Sequence, residues 1–284
     1  MTRGHAIILL ILTPVFWSSS GLFIKIIDWG PLSILSGRSS FATLVFLVYL
    51  KRPSLKWNAI QVVGAFAYIG AQLFFITATK LTAAANAIFL QYTMPLYVLL
   101  FGFWFLKEKP CRADLWSMSV IFTGMLLFLW DGLTFSGLRG NIFGVLSGMS
   151  MALMVLCLRK QKEGVPANTI LLGNLLGILI GLPALTQETF SIASLSIITY
   201  LGLFQIGFAF LLYTIAIKYL MALESSIIIF LEPILNPIWV FLVLGEFPGV
   251  LATIGALLVI GATTARAIIS SRILTAQETS PLAE

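Results

Sequence analysis

Charge is scarce in this chain. Only 10% of its 284 residues are Asp, Glu, Lys or Arg, against 59% that are hydrophobic, a balance far from that of a water-soluble domain. Cysteine is nearly missing too: Cys111 and Cys157 are the two present, and their positions point to free thiols in a reducing compartment. Histidine occurs once, as His5 before the first apolar run. No His/Cys/Asp/Glu cluster has metal-ligand spacing, no Gly-rich phosphate loop is present, and no Ser/His/Asp arrangement or soluble domain able to hold one is found. The chain is therefore expected to have no metal, no cofactor and no catalytic residue. An enzyme would have to work inside the bundle of apolar segments.

Long hydrophobic runs are what the chain has instead. About 20 helical residues cross the ~30 Å of bilayer hydrocarbon, and ten such segments fit, near residues 6–27, 30–50, 58–79, 83–106, 113–131, 140–158, 167–186, 193–217, 221–244 and 248–269. A β-barrel would alternate apolar and polar residues, whereas Ile7 to Leu12 and Ile227 to Leu231 are unbroken apolar runs, so the spans are helices. With the N-terminus inside, thirteen Lys and Arg fall on the cytoplasmic side and three, Lys25, Lys80 and Arg139, outside. That asymmetry puts both termini in the cytoplasm of a cell inner membrane, and Arg3 ahead of the first span reads as part of a retained anchor. The net charge of +6 is topogenic, so membrane lipid is an expected partner and nucleic acid is not. The sequence does not fix an oligomeric state.

A repeat runs through the spans. Shifted by 138 residues, Phe75 to Pro110 aligns with Tyr213 to Pro248 without a gap, superposing Ala78 on Ala216, Lys80 on Lys218, Ala84 on Ala222, Pro95 on Pro233, Phe103 on Phe241, Leu106 on Leu244, Glu108 on Glu246 and Pro110 on Pro248. The reading is a five-helix unit used twice, over 1–136 and 137–270, followed by a cytoplasmic tail, 271–284. Because five is odd, the second copy enters the membrane from the opposite side. Such inverted repeats enclose a site near the midplane and expose it alternately to the two faces, which is the logic of a secondary transporter.

The first-span FWSSSGLFIK (Phe16 to Lys25), the second-span GRSSFA (Gly37 to Ala42) and the paired LKEKP and LGEFP endings of spans four and nine resemble the drug/metabolite transporter superfamily, specifically its ten-helix EamA-type exporters. The resemblance covers nearly the whole chain. It implies a substrate cavity enclosed by spans 1, 3, 4, 6, 8 and 9, with spans 5 and 10 supporting the repeat interface. Family members include bacterial exporters of amino acids, aromatic ones among them, and the exporting direction rests on this resemblance.

Helical spacing then nominates residues for the cavity. Tyr68, Gln72, Phe75 and Thr79 share one face of the third span. Glu232, Asn236 and Trp239 share one of the ninth; Pro14, Trp17, Ser18 and Gly21 one of the first; Gln91, Pro95, Val98 and Gly102 one of the fourth. The sixth offers Ser147, Ser150 and Met154, and the eighth Gln205, Phe208 and Leu212. Single serines in such positions also serve as helix-to-helix contacts. Trp17, Tyr68, Gln72, Gln91, Glu232, Asn236 and Trp239 form the candidate substrate site, with Trp29, Trp57, Trp104, Trp116 and Trp130 assigned to the membrane-interface belt.

Pro14, Pro95, Pro233 and Pro237 are candidate hinges, because a proline cannot donate to the carbonyl four residues earlier. Glu232 has three readings: a carrier of a proton or of a substrate ammonium group, a partner of Arg38, or a buried neutral acid. Arg38 likewise could gate through bonds to backbone carbonyls, touch substrate or pair with Glu232. The expected activity is alternating-access export of small amphipathic metabolites, amino acids foremost, with a proton as candidate coupling ion. A membrane-embedded enzyme acting on lipid-like substrates and a passive channel are the alternatives.

The topology is testable in a background lacking Cys111 and Cys157. Lys56→Cys and Lys162→Cys should resist an impermeant thiol reagent added outside sealed cells, and Ser136→Cys should react. Labelling of Lys162→Cys from outside would end the ten-span reading.

Overall fold

The computed structural model describes residues 1–54, 56–82, 84–129, 137–235 and 250–278. Every regular element among them is helical. In chain order these are α1 (Arg3–Trp17), α2 (Ser20–Ile26), α3 (Pro31–Leu50), α4 (Ala59–Leu81), α5 (Ala84–Gln91), α6 (Met94–Leu106), α7 (Arg112–Leu129), α8 (Leu138–Lys160), α9 (Ala167–Leu185) and α10 (Ile192–Tyr200). A π-helical stretch (Leu201–Phe208), α11 (Ala209–Ala216), α12 (Ala222–Ile228), a 3₁₀ turn (Ile229–Leu231) and α13 (Val250–Glu278) follow. Among the described residues seven helical stretches are long and apolar enough to cross a membrane: Arg3–Ile26, Pro31–Leu50, Ala59–Leu81, Asn86–Leu106, Leu138–Lys160, Ala167–Leu185 and Ile192–Ala216.

Local chemistry sets the starts. Asn58 opens α4 with a reciprocal box, its side chain accepting from Gln61 N while the Gln61 side chain accepts from Asn58 N. Ser191 and Ser194 do the same for α10; each box satisfies two amide groups that a helix start leaves without partners. Pro31 occupies the first turn of α3, where its missing N–H costs nothing. At the other end of the chain α13 runs to Glu278, beyond the span end expected near 269, because Arg266 to Glu278 contains neither Gly nor Pro to stop it.

Lipid tails are as apolar as leucine, so close backbone approach rather than water exclusion holds such helices together. Glycine makes the approach. A Cβ on Gly181 would stand 2.2 Å from the Leu32 carbonyl oxygen where α9 crosses α3, and one on Gly148 would stand 2.8 Å from the Gln91 carbonyl oxygen where α8 crosses α5.

The repeat is visible in the helix breaks. The fourth stretch is interrupted at Tyr92–Thr93, between α5 and α6, and 138 residues on the chain tightens into the 3₁₀ turn Ile229–Leu231. Two lysines at the same shift behave alike: Lys80 donates to the Ile27 carbonyl oxygen, and Lys218 to that of Gly164 at 2.9 Å. Both acceptors lie between the first two long helices of their own half. Trp29 departs from the belt assignment. It is only 4% exposed, its indole N–H donates to the Thr189 carbonyl oxygen, and its ring meets Phe190 edge-on, so a neighbouring loop rather than lipid headgroups holds it. Trp57, Trp104 and Trp116 are exposed, and Trp130 lies outside the described residues.

Gly181→Ala should lower stability by about 1 to 3 kcal/mol, since a backbone oxygen must move to admit the methyl group. Gly261→Ala, where nothing lies within 4 Å, should be neutral or stabilising by up to about 1 kcal/mol. Thermal melting of the two variants in detergent checks the contrast.

Candidate functional site

Five of the seven candidate substrate residues are described, and all five are buried: Trp17, Tyr68, Gln72, Gln91 and Glu232 are each at most 9% exposed. Asn236 and Trp239 lie outside the described residues, as does the candidate hinge Pro237. Trp17 ends α1, immediately before the break at Ser18–Ser19 that separates it from α2. Its ring packs on Phe210 at 4.7 Å and on Tyr213 at 5.7 Å between centroids. Tyr68, on α4, meets the same Phe210 edge-on at 5.1 Å and donates its phenolic hydrogen to Asn174 Oδ1 at 2.9 Å. Edge-to-face geometry of this kind sets a positive ring edge against a negative ring face.

Phe210 and Tyr213 were not nominated by spacing; Phe208 was, and it is 42% exposed. The reason is the winding of Leu201–Phe208. An i→i+5 turn carries more residues per revolution than an α-helix, so a face projected at 3.6 residues per turn drifts off the buried side within that stretch. Gln205 and Leu212 stay inside, while Phe210 and Tyr213 take the inward place expected of Phe208. Two glycines in the segment, Gly202 and Gly207, hint at close packing there, but nothing in the residue pattern dictates a π turn.

Gln91 and Ser147 act as a helix-to-helix bond. Gln91 Nε2 donates to Ser147 Oγ at 2.8 Å, and that hydroxyl donates to the Ala71 carbonyl oxygen at 2.8 Å. One residue further along, Tyr92 reaches the second half of the chain. Its ring lies 4.9 Å from that of Phe230, the residue 138 positions later, so the two repeat-related break points touch. Its hydroxyl oxygen stands 2.9 Å from the Ile229 carbonyl oxygen and 2.7 Å from Glu232 Oε2. The Ile229 carbonyl is the one released by Pro233, four residues on.

Tyrosine has one hydroxyl hydrogen for these two acceptors. Both contacts are hydrogen bonds at once only when Glu232 carries a proton: the acid then donates to the phenol oxygen and the phenol donates to Ile229. Loss of that proton leaves the carboxylate and the carbonyl competing for one hydrogen. The site thus contains a group whose bonding pattern changes with its protonation, at the meeting point of two helix breaks.

Arg38, expected to gate, touch substrate or pair with Glu232, is 1% exposed and does not pair with Glu232. Its Nη2 donates to Gln72 Oε1 at 2.5 Å and to the Gln72 carbonyl oxygen at 3.4 Å. Glu232 is bound to a phenol instead. Of the hinge candidates, Pro14 is buried inside α1, Pro95 lies in the first turn of α6, and Pro233 follows Glu232, the residue that caps the 3₁₀ turn.

Two buried acids escaped notice in the sequence because they sit near span ends. Glu224 is 0% and Asp114 1% exposed. Arg266 pairs with Asp114 at 2.7 Å and lies 3.8 Å from Glu224, which also takes Arg3 at 2.5 Å. Nearby in sequence order, Arg159 pairs with Glu108 at 2.6 Å and donates to the carbonyl oxygens of Ile217 and Lys218, while Glu108 accepts from Ala222 N. Both clusters join the first half to the second. The available signal was the opposite charge at the same end of neighbouring spans, for which repeat position and topology together were needed.

The profile of the EamA-like transporter family matches the chain twice, over residues 4–130 and 138–265. An uncharacterized transporter of Archaeoglobus fulgidus is 24% identical over 273 residues, 89% of this chain and 94% of its own length. The uncharacterized transporter YyaM of Bacillus subtilis is 27% identical over 248 residues, 80% of this chain and 79% of its own. A solved crystal structure superposes with a TM-score of 0.79 at 18% identity, covering 94% of this chain and 99% of the other, which establishes the shared fold.

Tyr92→Phe removes the only hydroxyl that reaches Glu232 and Ile229 among the described residues. It should cost about 1 to 3 kcal/mol, the range for leaving a buried polar group unmet. Equilibrium or thermal unfolding in detergent measures it; Phe16→Leu, at the periphery, serves as the size-change control.

Proposed function

The chain belongs to the EamA-like transporter family, a multi-pass membrane family, and we propose that it is a secondary transporter that exports small amphipathic metabolites, amino acids with aromatic side groups included, across the inner membrane. Ten spans form two inverted halves, 1–136 and 137–270, with both termini and the tail 271–284 cytoplasmic. The observation that carries the reading is the contact of the repeat-related breaks, Tyr92 on Phe230, with Glu232 bound to the same hydroxyl.

Breaks of this kind let the two parts of a span tilt separately, and inverted repeats exchange their conformations during alternating access. In this cycle the Trp17, Tyr68, Phe210 and Tyr213 rings hold the apolar part of the substrate. Gln72 and Gln91 supply hydrogen bonds. The clusters of Arg159 with Glu108 and of Arg266, Asp114, Glu224 and Arg3, which join the halves at one end, serve as the cytoplasmic gate. Opening inward parts them, and a proton on Glu232 is exchanged when the centre is wetted.

Glu232→Gln tests the role of the acid. Glutamine keeps the shape and can still bond the Tyr92 hydroxyl, but it cannot exchange a proton. Counterflow exchange should fall about tenfold or more, while melting in detergent stays within about 1 kcal/mol of wild type. Wild-type counterflow in this variant would remove Glu232 from the cycle.

A further inference from the structure

Arg38 is a fully buried cation with no anion paired to it among the described residues. The ion pairs among the described residues join Arg3, Arg159 and Arg266 to Glu108, Asp114 and Glu224, and Arg38 is in none of them. Its recorded bonds all leave from Nη2 to the neutral oxygens of Gln72; Nη1 is buried and has no hydrogen-bond partner. A guanidinium stays charged in any protein environment and presents a planar fork of donors suited to a carboxylate or phosphate. An ionisable group kept at membrane depth without a counter-charge marks a binding site more readily than a structural contact.

The surroundings narrow the ligand. Tyr68 is within electrostatic reach of Arg38, and from Tyr68 the rings of Phe210, Trp17 and Tyr213 follow in unbroken contact. Gly202 brings the π-helical stretch against the Arg38 backbone, where an added Cβ would meet the Arg38 carbonyl oxygen at 2.7 Å. Along this chain of side chains the buried atoms without partners are Arg38 Nη1, Trp17 Nε1 and Tyr213 Oη, and a fourth, Gln205 Oε1, lies on the π-helical stretch packed against α3. Two are obligate donors, the tyrosine hydroxyl can also donate, and only the Gln205 oxygen is limited to accepting. A doubly charged phosphate would call for more than one cation, and Arg38 is the only basic side chain recorded in this group.

We infer that Arg38 is the anchor for the carboxylate of the transported substrate: the ligand is a small monocarboxylate whose apolar body replaces ring-to-ring contacts among Trp17, Phe210 and Tyr213. Gln72 is a positioning residue that holds one arm of the fork and leaves Nη1 free. Gln205 accepts from an amino or hydroxyl group beside the carboxylate. The assignment rests on the proposed transport function and deepens it by naming the group the site requires.

Matched ligands test it: phenylalanine against phenylalaninamide and phenethylamine, and leucine against leucinamide, offered to the purified full-length protein. Ligand-induced thermal stabilisation gives binding, and counterflow in proteoliposomes gives transport. Wild type should bind the carboxylates about tenfold or more tightly than the amides, Arg38→Gln should lose that preference, and Arg38→Lys should keep it at reduced affinity, since a point charge replaces the fork. Should Arg38→Gln fail to fold, Arg38→Lys decides, because an unchanged carboxylate affinity there overturns the anchor. Equal binding of acid and amide by wild type, a wild-type preference in Arg38→Gln, or no binding of either carboxylate also overturns it. Counterflow of amides as fast as acids refutes the anchor and leaves transport standing, whereas carboxylate binding without counterflow refutes transport and leaves the anchor.

Discussion

Inside a bilayer no water is at hand to complete a broken hydrogen bond, so each backbone carbonyl and each charge must find its partner within the protein. The rest of this structure follows from that requirement. Pro233 cannot donate to the Ile229 carbonyl, which is bonded instead by the Glu232 N–H and by the Tyr92 hydroxyl from the other half. Lys80 and Lys218 reach across to loop carbonyls at repeat-related positions. At Tyr92 and Ile229 the irregular backbone is tolerated because both residues are buried in protein.

Charge obeys the same rule in two ways. Where acids and bases occur together, as in the Arg266, Asp114, Glu224 and Arg3 cluster, burial is compensated by short, direct pairs, and removing one partner would strand the other. These pairs join the two halves at one end. Arg38 and Glu232 are treated differently: among the described residues each is bound by neutral groups only, Gln72 and Tyr92 respectively. A charge-bearing group held that way remains free to respond to a ligand or a proton.

The family assignment and the geometry meet at the repeat. Two matches of the same family profile, over 4–130 and 138–265, agree with eight identities in the aligned stretch only loosely, yet the identities include Lys80 with Lys218 and Pro95 with Pro233, the residues around which both halves bend and cap their loops. The acid is not shared: Met94 occupies the place of Glu232 in the first half. The halves are alike where the backbone is shaped and unlike at the buried acid.

Much was legible without coordinates. Composition and run length determined a helical membrane protein, because the cost of unpaired backbone in hydrocarbon leaves no other solution once barrel alternation is missing. Spacing placed Trp17, Tyr68, Gln72 and Gln91 on buried faces, since an α-helix repeats at a known angle. Three things waited for the tertiary structure. The π-helical winding at Leu201–Phe208 exchanged Phe208 for Phe210 and Tyr213, because helix pitch depends on packing against α3 and not on residue type alone. The partners of Arg38 and Glu232 were decided by which side chains met across the bundle. The burial of Glu224 and Asp114 was decided likewise: an acid near a span end faces water or an arginine according to how neighbouring helices tilt, and a linear sequence holds no record of tilt.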